Sequence, residues 1–253
     1  MMAAVDLNAD LGEGYGAWSL GDDEALLGTV TSANVACGFH AGDPSTIRRT
    51  CLSAARSSVR IGAQVSYPDL AGFGRRAMSI PFEELRDLVL YQLGALDGFA
   101  QVAGTEVAYV KPHGALYHAC WDDPVSARAV VEAAIEYDPS LVILGPAGSM
   151  LLAEAERIGL EQAEEVFADR AYTADGHLVP RSEPGAVLHD LDSVVARVLR
   201  AVGEGEIEAV DGTVVRTAVR SICVHSDTPD AVGLARGVRS ALEDAGIGVY
   251  PFC

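Results

Sequence analysis

Seven short apolar or alternating runs punctuate the chain, at 3–10, 32–37, 60–67, 107–113, 141–146, 164–169 and 221–227. Each is six to eight residues long and ends in turn-forming or polar residues, so each predicts a strand rather than a helix. Between most of them lie longer stretches whose apolar residues recur three and four apart, the spacing of an amphipathic helix. These are 45–58, 81–104, 124–138, 148–159, 188–203 and 228–246. The first follows Asp43-Pro44, a capping carboxylate and a residue suited to the first helical turn. The last opens on Thr228-Pro229 and closes on Gly246. Strand alternating with helix predicts βα units and a mainly parallel sheet. Two segments break the rhythm: 206–216, a small hairpin around Asp211-Gly212, and 170–186, a long polar loop of the kind usually kept for function.

No Pro/Gly/Ser-rich linker, low-complexity tract or internal repeat divides the 253 residues, which predicts one closed α/β barrel spanning 1–253 rather than two domains. With 49% hydrophobic residues a full core is expected. The net charge of −18 disfavours nucleic acid and anionic membranes as partners. No apolar run approaches a membrane span, and the N-terminal stretch turns acidic at Asp6 with no basic region before it, so neither an anchor nor a signal peptide is expected. The five cysteines are scattered, with no C-x-x-C pair, which suggests a reducing cytoplasm and no structural zinc.

The strand ends carry the chemistry. The first run holds Asp6, Asn8 and Asp10, with Glu13 just beyond. The second leads to Asn34, His40 and Asp43, and the third offers Gln64, Ser66 and Asp69. The fourth ends in Lys111 and His113, the sixth in Asp169 and Arg170, and the seventh in His225 and Asp227. In a parallel barrel all these ends meet on one face, the face that bears active sites. Side chains alternate along a strand, so Asp6, Asn8 and Asp10 share a side, and a polar stripe belongs inside the barrel rather than under the helices. Lys111 is the only lysine beside seventeen arginines. A lysine kept in so arginine-biased a chain, at a strand end near carboxylates, suggests a compact point charge that a wide guanidinium cannot replace.

Residues 12–17, Gly-Glu-Gly-Tyr-Gly-Ala, match a dinucleotide fingerprint in letters only, because no helix starts there and no ribose-binding acid follows the next strand. A phosphate-binding P-loop is excluded, since the one lysine is followed by Pro112. Asp10, His40 and a third ligand would make a mixed N/O metal set, which spacing alone cannot test.

Six motifs, at 5–16, 32–44, 66–76, 109–118, 165–181 and 223–229, together resemble the LamB/YcsF-like family in order and over about residues 5–252. The resemblance implies a distorted seven-stranded (β/α) TIM-like barrel of the glycoside hydrolase/deacetylase type. It also implies one component of an ATP-dependent 5-oxoprolinase, which hydrolyses 5-oxo-L-proline to L-glutamate while ATP becomes ADP and phosphate. ATP would be handled with two partner subunits, B and C. The residues carried over are Asp6, Asp10, Lys111 and His113 as catalytic groups. Asn8, Glu13, Asn34, His40, Asp43, Asp169, Arg170, His225 and Asp227 carry over as substrate-binding groups. Gln64 stands where many relatives have histidine, and related deacetylases bind metal through one aspartate and two histidines. No metal ligand is therefore assigned, and a tightly held zinc is not expected. A stand-alone metal-dependent deacetylase or amidohydrolase, and a non-catalytic substrate-positioning component, are the competing readings.

Overall fold

A computed structural model describes residues 4–226 and 230–253. Asp227 and the Thr228-Pro229 pair lie outside the described residues. In chain order the first elements are β1 (Ala4–Leu11), α1 (Asp23–Leu27), β2 (Ser32–Ala36), α2 (Pro44–Arg56), β3 (Arg60–Val65), α3 (Phe82–Val102) and β4 (Val107–Pro112). There follow α4 (Gly114–Asp122), α5 (Pro124–Tyr137), β5 (Val142–Pro146), α6 (Met150–Ile158) and β6 (Gln162–Phe167). The last are α7 (Leu191–Glu204), β7 (Glu206–Glu208), β8 (Val214–Arg216), β9 (Ser221–Val224), α8 (Ala231–Asp244) and β10 (Gly248–Val249).

The seven expected strands form a closed parallel barrel in the order β1-β2-β3-β4-β5-β6-β9. Closure runs from Asp6 opposite Ser221 to Ala9 opposite Val224. The barrel is uneven: the β3–β4 register shifts between Ile61 and Gly62, and β4 meets β5 over Tyr109 and Val110 only. A Cβ on Gly62 would fall inside the Tyr109 ring, so glycine there lets the ring lie across the barrel interior. Tyr109, Val142, Leu144 and Ala163 form an apolar cluster inside, and Phe252 packs on Tyr109 with ring centres 5.0 Å apart. The hairpin falls where expected, β7 pairing antiparallel with β8.

Strand parity holds on β1. Val5, Leu7, Ala9 and Leu11 join the main apolar core, whereas Asp6, Asn8 and Asp10 are buried among polar partners within the barrel. α2 begins as the sequence suggests, with Asp43 accepting from Ser45 N at 2.9 Å and Thr46 N at 3.2 Å, a cap worth about 1 kcal/mol. The short α4 is an addition to the expected elements, and its Leu116, Tyr117, Cys120 and Trp121 bury one helical face. Its nine residues follow β4 with only His113 between, and Gly114 at its start gives it the look of a turn. Among the described residues no helix is long and apolar enough to cross a membrane.

Candidate active site

Asp6 sits low in the barrel. Its Oδ1 accepts from Thr31 Oγ1 and Ser32 Oγ, each at 2.6 Å, and its Oδ2 from Ser221 Oγ. Burial pushes its carboxyl up to about 6, because these hydroxyls only partly replace lost water. Asn8, one layer higher, donates to Ser221 Oγ at 2.6 Å. Asp6 therefore braces β1, β2 and β9 and lies about 13 Å of strand below Asp10.

Above this floor lies the lysine. Lys111 Nζ is 2.8 Å from Glu165 Oε2, an ion contact, and 3.5 Å from Asp10 Oδ1. Asn8 Oδ1 at 3.4 Å and Cys223 Sγ at 3.1 Å complete its polar surroundings, and the Phe167 ring lies 4.9 Å away. Burial works against its charge, but the Asp10 and Glu165 carboxylates hold the ammonium protonated well above the ordinary lysine range. Burial likewise opposes charge on Asp10, but Lys111, His225, His113 and an Asn34 amide bond of 2.8 Å outweigh it, and the carboxyl is held below the usual range. Asn34 also donates to Asn8 Oδ1 at 2.7 Å and accepts from Tyr109 at 2.7 Å, so its amide is fully committed. Burial keeps Cys223 a thiol.

A second cluster gathers imidazoles. His40 and His113 stack with ring centres 4.2 Å apart, and Phe73 meets both edge-on. His40 Nε2 is 3.1 Å from Gln64 Oε1, while Gln64 Nε2 donates to Glu13 Oε1 at 3.2 Å. His113 Nε2 is 3.1 Å from Phe73 O, and its Nδ1 is 3.8 Å from Glu13 Oε1. Ser226 Oγ donates to Glu13 Oε2 at 3.0 Å. Burial pushes His113 down to about 4 and His40 well below its ordinary range. Phe73 and Gly74 both lie at positive φ, and a Cβ on Gly74 would approach His40 Cβ at 3.0 Å and His113 Cδ2 at 3.2 Å. That left-handed turn seats the backbone against both rings.

The third group is a dyad. His225 Nδ1 lies 2.8 Å from Asp169 Oδ1, and the imidazole stacks on Phe167 at 4.8 Å. Arg170 donates to Ala186 O at 3.2 Å and Val179 O at 2.6 Å, clasping the long loop over the barrel. Under that loop lies a cavity of ≈ 200 Å³, reached by Asp10, Lys111, His113, Tyr117, His225 and the arginines 75, 170 and 181. It is well below the volumes that hold drug-sized ligands and suits a small ring rather than a nucleotide.

The structure thus brings together Asp10, Lys111, His113, Arg170 and His225 around the cavity, with Glu13, His40 and Asp169 bonded or packed behind them. Asn8 and Asn34 hold the lysine network from below. Asp6 and Asp43 are elsewhere: Asp43 caps α2 and accepts from Gly16 N at 3.0 Å. Asp10 is committed to Lys111 and Asn34 and does not share a ligand cluster with His40 among the described residues. Sequence reasoning missed Glu165. The signal was there, since Glu165 lies two residues before Phe167 and so shares its side of β6, the side whose other member is Ala163. Tyr117, on unexpected α4, was missed with its helix.

Fold and site define a seven-stranded (β/α) barrel of the deacetylase type with a small polar pocket at its C-terminal strand ends. The catalytic domain of a peptidoglycan N-acetylglucosamine deacetylase from Eubacterium rectale has the same fold at TM-score 0.53 and 11% identity, covering 100% of this chain and 90% of that one, a likeness of fold alone. The chain belongs to the LamB/YcsF family, whose model matches residues 5–253. It is 60% identical to the 5-oxoprolinase A subunit from Streptomyces coelicolor over 98% of this chain and 99% of the relative. It is 56% identical to the 5-oxoprolinase A subunit from Mycobacterium avium over 100% of both chains. A lactam utilization protein from Thermus thermophilus superposes at TM-score 0.93 with 44% identity, covering 98% of this chain and 100% of the other.

Proposed function

We propose that the chain is the A subunit of an ATP-dependent 5-oxoprolinase. In this reading one barrel domain opens 5-oxo-L-proline to L-glutamate in a cytoplasmic assembly with B and C subunits, and ATP is hydrolysed to ADP and phosphate in that assembly. The observation that carries the reading is local charge reversal. On a chain of net charge −18, the cavity draws Arg75, Lys111, Arg170 and Arg181 around Asp10, a setting for a small ring that bears a carboxylate.

ATP does not fit the same place. The cavity is too small, and the larger hollow of ≈ 640 Å³ beside α2 sets Asp22, Asp23, Glu24 and Asp43 against Arg49, which repels a polyphosphate. No step is assigned to a nucleotide on this chain.

The residues divide the work as follows. Arg75 and Arg181 at the rim attract the substrate carboxylate. Asp10, held charged, accepts a hydrogen from the attacking water and orients it. His225, with Nδ1 tied to Asp169, takes the water proton at Nε2 and returns it to the ring nitrogen as the C–N bond breaks. Lys111 is a fixed positive charge opposing the negative charge that develops on the former carbonyl oxygen. Glutamate recloses readily because its amine is tethered beside its own side-chain carboxylate, which is why ring opening calls for ATP coupling.

The test is ATP-dependent glutamate release by the reconstituted complex, with and without this chain. Release that needs all three components supports the reading. Steady release by B and C alone, or metal-dependent amide hydrolysis by the isolated chain without ATP, would overturn it.

A further inference from the structure

We propose that Glu13, His40 and His113 form a binding site for one divalent metal ion of the zinc class, with Gln64 as its outer support. The three residues come from loops after β1, β2 and β4, and all are buried. One ligand atom from each lies within 4.8 Å of the other two.

The hydrogen-bond network fixes the tautomers. Gln64 must turn its amide nitrogen to the Glu13 carboxylate, which only accepts, so its Oε1 faces His40. A carbonyl oxygen cannot donate, so His40 carries its proton on Nε2. The Phe73 carbonyl imposes the same choice on His113. Each histidine then has a bare lone pair at Nδ1. His40 Nδ1 is fully buried and has no partner among the described residues. His113 Nδ1 faces Glu13 Oε1 at 3.8 Å, acceptor against acceptor. Two imidazole lone pairs and a carboxylate gathered in one buried cluster call for something electropositive among them.

The outer contacts match that occupant. Metal-bound imidazoles generally donate their second N–H to a carbonyl or carboxylate, which fixes the ring and strengthens the ligand. Here Gln64 Oε1 and Phe73 O fill that role, and Gln64 Nε2 with Ser226 Oγ anchors Glu13. Two nitrogens and one oxygen favour zinc or another late first-row ion over magnesium or calcium. Tetrahedral ligand atoms around zinc lie about 3.3 Å apart, so the 3.8 Å pair closes with a small side-chain rotation. The proposal departs from the expectation drawn from Gln64, because glutamine here orients a ligand instead of replacing one.

The experiment uses the isolated full-length chain, stripped with chelator and titrated with Zn²⁺ by calorimetry and with Co²⁺ by visible absorption. One equivalent should bind, with the d–d bands of four- or five-coordinate cobalt, and excess Mg²⁺ should not displace it. Glu13→Gln and His113→Ala should each weaken binding by roughly 100-fold or more, and Gln64→Ala by about 10- to 100-fold. The half-buried His177, beside Asp122 and Asp175, is the control: His177→Ala should leave the affinity unchanged. Absence of stoichiometric binding, or binding that survives Glu13→Gln and His113→Ala in folded protein, would overturn the site. None of these readouts depends on glutamate release, so the site and the proposed function stand or fall separately.

Discussion

Asp6 and Asp10 are four residues apart on one strand and share its inward side, yet they differ in almost everything chemical. Asp6 meets three hydroxyls and, among the described residues, no cation, and burial lifts its carboxyl to about 6. Asp10 meets the Lys111 ammonium and the Asn34 amide, and its carboxyl stays below the usual range although it too is buried. The strand supplies direction, and the layer supplies charge. A carboxylate becomes useful for orienting water only where a fixed cation keeps it ionised beside a cavity.

Removing that cation should have the largest effect. Lys111→Met leaves Asp10 and Glu165 buried without their partner, which should cost about 3–5 kcal/mol of stability and more than roughly two orders of magnitude in turnover. Lys111→Arg should also lose most turnover, because a planar fork cannot occupy a space shared by Asn8, Glu165 and Cys223. Urea unfolding and steady-state kinetics of the reconstituted complex measure the two effects.

Asp10→Asn should come next, lowering kcat by roughly 100-fold or more with the fold intact by circular dichroism. Wild-type turnover in this variant would place the chemistry on another strand end. Asp169→Asn should lower kcat by about 10- to 100-fold with KM little changed, because it frees the His225 ring to turn while leaving the arginines in place.

Asp6→Asn should have the smallest effect on activity and an informative one on stability. A carboxyl raised from 3.8 to about 6 favours the folded state only while protonated. That contribution is complete below the unfolded value near 4 and is lost as pH rises through about 6. The variant should therefore exceed the wild type at pH 8 by on the order of 3 kcal/mol, with the difference shrinking toward pH 4. Denaturant midpoints across that range give the answer, and a constant difference would mean that Asp6 is not titrating there.

Much of this was legible in the chain. Strand runs and their parity put Asp10, Lys111, His113 and His225 at one mouth, because a period of two and a parallel order leave little freedom. Height within the barrel was not legible: the sequence pattern groups Asp6 with the mouth residues, and the fold sets it at the floor. The dual part of Asp43 is similar. The cap is visible in Asp43-Pro44, but nothing in the letters says that a capped carboxylate is thereby turned from the pocket. Glu165 escapes the pattern because it lies within a strand instead of at its end. Tyr117 escapes because only His113 separates its helix from β4.

The lone lysine carries a consequence for chemical probing. Its amine is the only lysine amine in the sequence, and the residue is 2% exposed. Acylating reagents, amine crosslinkers and acetyl donors therefore find no lysine target on the folded surface. Modification at Lys111 requires the barrel mouth to open and the ammonium to leave its carboxylate partners and lose its proton, so its rate in a pulse-labelling experiment reports opening and deprotonation together.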